Sequence, residues 1–284
     1  MPSAPNTSKF VAIVTGANQG IGKAIVAQLA HRPTSSLIYL AARDEKRGNE
    51  AVDELKNGLP ADTSIAFLHL DVTNEASINA AAARVKSEAG IVNVLINNAG
   101  VAAKGSAFDG EIAKWTVTTN YTGTRKTTQA FLPLIPENGR IVNVSSTMGR
   151  LGQVSKELQD QFSSKSLTLD GLDKLMDQFV ASVADGTYAS KGWPQQAYGV
   201  SKVGVTAFSR VLARQPEITS KNILVAACCP GWVRTNMGGE AAHLSVEDGA
   251  KTPVWLATAD KQEILEGGKL ENGLFYRDRK HVEW

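Results

Sequence analysis

Residues 10–22 read Phe10-Val11-Ala12-Ile13-Val14-Thr15-Gly16-Ala17-Asn18-Gln19-Gly20-Ile21-Gly22, an apolar run followed by a glycine-rich turn. The next segment, Lys23 to Leu29, predicts a helix. An unbroken apolar run of this length suits a strand covered on both faces. Gly16, Gly20 and Gly22 let the backbone turn tightly and approach a ligand, and the free amides of a helix start favour an anion such as a pyrophosphate. The spacing Gly-x-Gly-x-x-Gly is not met, because Ile25 stands where its third glycine belongs.

Outward from this stretch, short apolar runs alternate with helix-length segments. The expected strands are Phe10–Thr15, Leu37–Ala42, Ile65–Leu70, Val94–Asn97, Arg140–Val144, Ile223–Cys228 and Leu274–Tyr276. The pattern predicts an α/β, Rossmann-like, doubly wound parallel sheet of seven strands with helices on both faces. Residues 1–284 are expected to form one such domain. Residues 149–197 interrupt the alternation. Within them Leu172, Leu175, Met176, Phe179, Val180 and Val183 recur at helical spacing, which predicts a helical insertion rather than a disordered loop.

Thirty basic and 28 acidic residues leave a formal charge of +2, with no Lys/Arg block to track nucleic acid or a lipid surface. No apolar run reaches the roughly 18 residues of a membrane span, so neither nucleic acid nor a membrane is an expected partner. Cys228 and Cys229, adjacent in an apolar run, suit reduced thiols and a cytoplasmic location. The four histidines lack ligand spacing, and no metal is expected.

At the end of the second strand, where a nicotinamide enzyme using the unphosphorylated cofactor would carry an acid, the residue is Ala42. Arg43 follows, and a guanidinium pairs bidentately with phosphate, which points to NADP(H). Arg47, one turn on, and Asn18 are further candidates for the same phosphate, while Asp44 reads as the N-cap of a helix starting at Glu45. The Tyr198-Gly-Val-Ser-Lys202 spacing puts two side chains on one helical face, with Pro194 expected as the first helical residue. A lysine about 5 Å away at an effective dielectric near 20 favours the phenolate by roughly 3 kcal/mol, placing the tyrosine about two units below its usual 10. Tyr188-Ala-Ser-Lys191 has the wrong spacing, so Tyr188 reads as structural.

The Thr15-Gly16-x-x-x-Gly20-x-Gly22 spacing, Asn97-Asn98-Ala99-Gly100, Ser146 after the fifth strand and Tyr198-x-x-x-Lys202 together resemble the short-chain dehydrogenase/reductase family, from the first strand to the end of the chain. The resemblance implies NADPH as cofactor, cradled by Gly16, Asn18, Gln19, Gly20, Ile21 and Gly22. Asp71 and Val72 would lie at the adenine, and Asn98, Ala99 and Gly100 near the ribose. It implies Pro230, Gly231, Val233 and Thr235 at the nicotinamide, and Asn120, Ser146, Tyr198 and Lys202 as the catalytic set. Asn120 would bend its helix and hold a water leading to the lysine.

Ser146 and Tyr198 are 52 positions apart, where most of the family has about a dozen. This departure, with Gly192-Trp193-Pro194 and Cys228-Cys229-Pro230-Gly231-Trp232, resembles the monomeric carbonyl reductases of animals and their fungal relatives. It implies a monomer that reduces ketones, aldehydes or quinones, with Met148 and Trp232 lining the substrate pocket. Trp193, Met237 and Cys229 lie near the same segments, and for them core positions are as plausible. An NADP-dependent alcohol or steroid dehydrogenase uses the same residues in the opposite direction. A non-enzymatic NADP(H) sensor is the other alternative, although it has no need of all four catalytic residues.

Overall fold

A computed structural model describes residues 9–32, 34–105 and 107–284. Strand β1 (Phe10–Thr15) feeds helix α1 (Gly20–Ala30), and the alternation continues through β2 (Ser36–Ala42), α2 (Glu45–Leu55), β3 (Thr63–His69), α3 (Glu75–Glu88) and β4 (Val94–Asn97). Helices α4 (Gly110–Val117) and α5 (Gly123–Phe131) flank a π-helical turn at Thr118–Thr122, before β5 (Arg140–Val144). The insertion holds α6 (Lys156–Ser163) and α7 (Leu169–Ala184). Then come α8 (Ala197–Ala213), α9 (Pro216–Ser220), β6 (Leu224–Cys229), α10 (Val246–Thr258), α11 (Lys261–Ile264), β7 (Phe275–Arg277) and β8 (Lys280–His281).

The strands form one sheet in the order β3-β2-β1-β4-β5-β6-β7-β8. The seven expected strands are present and parallel. An unexpected eighth, β8, pairs antiparallel with β7. Its two-residue turn uses Asp278 and Arg279, both at positive φ, without the glycine that usually signals such a hairpin in a sequence.

Strands β1 to β6 each serve two cores, as the continuous apolar runs require. Val11 and Ile13 of β1 join a cluster with α3, α5, α7 and α8. Ala12 and Val14 point to the opposite face and pack with α1, α2 and α10. Caps fix the helix starts: Asp44 accepts from the Arg47 amide at 2.9 Å, as expected, and Asn74, Asp109, Thr168 and Ser245 do the same for α3, α4, α7 and α10.

The insertion is helical, and α7 buries Leu172, Leu175, Met176, Phe179 and Val183, with Val180 only partly covered. It lies against α4 and α8. A Cβ added at Gly110 would stand 2.9 Å from Ala184 Cα, and one at Gly204 would stand 2.8 Å from the Met176 sulfur. Trp193 packs between Phe162 and Phe179, with ring centroids 5.9 and 5.3 Å away, and is core. Tyr188 stacks edge-on against Phe108 at 5.0 Å, in keeping with a structural role. The expectation for Pro194 is corrected: α8 begins three residues later, at Ala197, and the Pro194 carbonyl instead accepts from the Gln196 amide in the preceding turn.

Candidate active site

The strand order reverses direction between β1 and β4, and in such sheets the crevice beyond the carboxyl ends of the strands is where ligands bind. A crevice of about 520 Å³ opens there. Its floor is the β1–α1 turn. Gly16 and Gly20 hold positive φ, and a Cβ at Gly22 would stand 2.6 Å from both the Gly16 carbonyl and Asn98 Nδ2. The start of α1 carries no acidic residue, and its N-cap residue Gln19 makes no side-chain cap. Its amides are therefore available to an anion. Asn98 fastens the rim: its Nδ2 donates to the Thr15 and Gly16 carbonyls at 2.9 and 3.2 Å, while the Asn98 and Ala99 amides both donate to Thr15 Oγ1 at 3.0 Å.

Arg43 lines the crevice beside Asp71 and Val72, at the end away from α8. The Asp71 carboxylate accepts from the amide and hydroxyl of Thr73 at 2.9 and 2.7 Å. Arg47 is not brought in; its Nε donates to Asp44 Oδ2 at 2.9 Å, so the residue that caps α2 also holds this arginine at the surface. These features fit a phosphorylated dinucleotide: a cradle that side chains would fill, unspent helix-start amides, and an exposed guanidinium at the far end.

At the other end Tyr198 and Lys202, one turn apart on α8, face the crevice with Ser145. Lys202 is almost fully buried, and its Nζ donates to the Val144 carbonyl at 2.7 Å, 5.7 Å from the centre of the Tyr198 ring. Burial lowers the lysine to about 8. Burial also raises Tyr198 to about 12, the neighbouring Ser146 hydroxyl drawing it partly back. The expectation that the lysine would lower the tyrosine is thus corrected: desolvation of the phenolate sets the direction, and Lys202, turned to the Val144 carbonyl, does not reverse it.

Asn120 sits inside the π-helical turn, where the Gly123 amide reaches back to the Thr118 carbonyl. Its side chain bridges three elements: Oδ1 accepts from the Val101 amide at 2.7 Å, and Nδ2 donates to the Val101 carbonyl and to Ser201 Oγ, each at 2.9 Å. A Cβ at Gly100 would lie 3.3 Å from Asn120 Oδ1 and 3.5 Å from Lys202 Nζ. The glycine keeps the gap between those groups clear.

Pro230 and Thr235 line the crevice, but Gly231 and Val233 do not. Gly231 makes the turn at φ 86°, and Val233 is buried against Gly249 of α10, whose added Cβ would stand 2.6 Å from it. Met148 and Trp232 lie outside the cofactor-sized crevice, on the segments following β5 and β6, 48% and 52% exposed. Met237, 50% exposed, lines the crevice itself. The Cys229 thiol is buried, 3.7 Å from Thr147 Oγ1, and accepts from the Gly231 amide.

A family profile described as short chain dehydrogenase matches residues 10–158 and 179–244. The chain belongs to this family. The unmatched residues 159–178 fall within the end of α6 and the first part of α7, so this short-chain dehydrogenase departs from the family profile where the insertion lies. It is 43% identical to carbonyl reductase [NADPH] 1 of Rattus norvegicus over 98% of this chain and all of the relative. Among solved structures it resembles salutaridine reductase from Papaver somniferum, with a TM-score of 0.80 and 28% identity over 94% of this chain and 99% of that one. It also resembles menthone neomenthol reductase from Mentha piperita, with a TM-score of 0.78 and 30% identity over 96% and 99%. Sequence reasoning missed several crevice residues of this dehydrogenase, among them Thr73, Val101, Thr119, Arg234, Asn236 and Val246. Arg234 carried the only signal, a cation inside the Pro-Gly turn that reading had assigned to its uncharged neighbours.

Proposed function

We propose that this chain is an NADPH-dependent carbonyl reductase that converts ketones, aldehydes or quinones to alcohols, with Tyr198 as proton donor. One juxtaposition carries the reading. A phenol raised to about 12 lines a dinucleotide-sized crevice, with Ser146 beside it just outside the lining, in a chain 43% identical to a carbonyl reductase. At that value Tyr198 is protonated at neutral pH and holds a proton to give. Bound NADPH supplies the hydride. Ser146 and Tyr198 hold the substrate oxygen from two sides, donating to it as negative charge develops. Lys202, close to half-titrated near pH 8, replaces the proton that Tyr198 gives up. The clear space beside Gly100 accommodates a water between Lys202 and Asn120, and the carbonyl and amide of Val101 hold Asn120 in place.

Met148, Trp232 and Met237 account for three of the five large apolar side chains exposed among the described residues. Exposed apolar side chains on the segments that follow β5 and β6 favour apolar, aromatic carbonyl compounds over small polar ones. NADPH oxidation with a panel of ketones, aldehydes and quinones tests the reading. Wild type is expected to turn over several of them, and Tyr198→Phe to bind NADPH yet lose at least about 99% of kcat; undiminished turnover by that variant would remove the tyrosine from the reaction. The proposed location is the cytoplasm, which suits two free buried thiols. The proposed state is a monomer, because α7 lies across faces of α4 and α8 that could otherwise meet a neighbour. Gel filtration at micromolar concentration is expected to give a mass near 30.2 kDa.

A further inference from the structure

We infer that Trp284 is a positioning residue for Ser146, acting through the short 3-10 turn Thr147–Gly149; the inference rests on the carbonyl reductase reading above. Ser146 opens that turn and is held by it. The Met148 amide donates to Ser146 Oγ at 3.1 Å, and the Gly149 amide donates to the Ser146 carbonyl at 2.9 Å. The hydroxyl that meets Tyr198 therefore moves whenever the turn moves.

The inner side of the turn is rigid. Gly149 rests directly on the backbone of α8, where an added Cβ would stand 2.6 Å from the carbonyl carbon of Lys202. Its outer side is different, because a second cavity of about 530 Å³ borders it, lined in part by Met148, Arg150, Leu151, Gln153 and Trp284. Two hydrogen bonds hold the turn there: Gln153 Nε2 donates to the Met148 carbonyl at 2.7 Å, and Trp284 Nε1 donates to the Gly149 carbonyl at 2.7 Å.

Gln153 follows the turn closely in the chain and lies against Gly199 of α8, so its bond adds only a local tie. Trp284 is anchored elsewhere. Its indole packs on Ala227, Cys229 and Phe275, which belong to β6 and β7, and the Arg210 guanidinium of α8 lies 5.7 Å from its ring centre. The Gly149 carbonyl is thus tied to the sheet itself, across 135 positions of sequence. Grip from Lys202 on one side and Trp284 on the other fixes the serine relative to the tyrosine on α8.

Trp284→Phe keeps an aromatic ring and removes the N–H. Its kcat for ketone reduction is expected to fall about tenfold, the upper end of what one neutral hydrogen bond sustains, with the KM for NADPH within about twofold of wild type. In a Ser146→Ala background the same substitution should have little further effect, because the two residues act as a unit. An equal loss in both backgrounds would mean that Trp284 acts by another route and would overturn the inference, as would an unchanged kcat. Hydrogen exchange at the Met148 and Gly149 amides reads the turn without turnover, and faster exchange in Trp284→Phe is expected. A wild type that reduces no carbonyl compound would remove the reading of function. In that case unchanged exchange would separately refute the grip, and faster exchange would sustain it.

Discussion

Arg43 gives the sharpest test of cofactor choice. It is exposed, lines the crevice beside Asp71 and Val72, and has no salt-bridge partner among the described residues. Arg47 is committed to Asp44 at 2.9 Å, so taking over the phosphate would require breaking an existing pair. A hydrogen bond to a charged group contributes about 1.5–3 kcal/mol. Arg43→Ala should therefore lower kcat/KM for NADPH by about tenfold to about 150-fold. NADH lacks the phosphate, and its kcat/KM should stay within about twofold, so the preference between the two cofactors falls by nearly the whole factor. Arg47→Ala should leave the preference within about twofold, since its partner is a surface carboxylate. Initial rates with both cofactors and one saturating ketone suffice. If Arg43→Ala kept its preference for NADPH, or Arg47→Ala lost it, the assignment of the phosphate to Arg43 would be wrong.

Two further substitutions address stability. Lys202→Met should unfold later than wild type at pH 7 while losing turnover. Burial holds the folded lysine near 8 against a usual 10.5, so between those values the unfolded chain binds the proton and the folded chain does not, and wild-type stability rises with pH across that window. The gain at pH 7 should be about 1–3 kcal/mol, the upper figure being the whole lowering at about 1.36 kcal/mol per unit. It should fade towards pH 10.5 in urea titrations, and a variant no more stable at pH 7 would refute the burial cost. Asp173→Ala should cost about 1–3 kcal/mol, because Tyr121, 2% exposed, donates its hydroxyl to Asp173 at 2.6 Å and would be left buried without a partner. The cost should shrink in a Tyr121→Phe background, and an equal loss in both would place the contribution elsewhere, at Arg125 for instance.

The fold was legible because both of its periodicities are strong. The seven parallel strands follow from apolar runs buried on two faces, and α7 from a stripe that had to dock somewhere. β8 escaped because two paired residues carry no pattern and its turn uses Asp278 and Arg279 in place of glycine. Within the candidate site, residues set by local backbone chemistry were readable: the glycine turn, Asn98 and the Tyr198–Lys202 pair. What the sequence concealed depends on distant contacts. Val233 turns inward to meet Gly249, Arg47 turns outward to meet Asp44, and Lys202 donates to a carbonyl 58 positions earlier in the chain. A charge argument made at helical spacing could not foresee that burial would reverse the direction of the tyrosine shift. Trp284 bore no signal of its own, since a tryptophan far along the chain does not announce which carbonyl it will reach.

The wide turn at Thr118–Thr122 has a consequence for how this gene can change length. One surplus residue in a helix advances everything beyond it by about 100°, and here α4 on one side is seated against α7 while α5 on the other is seated against the sheet. Losing a single codon would restore ordinary helical winding, and Asn120 could then stay in phase with Val101 only if α4 slipped from its seat. An in-frame deletion of this kind should be purged from libraries of variants selected for turnover, although the shortened helix would look more regular than the one it replaced.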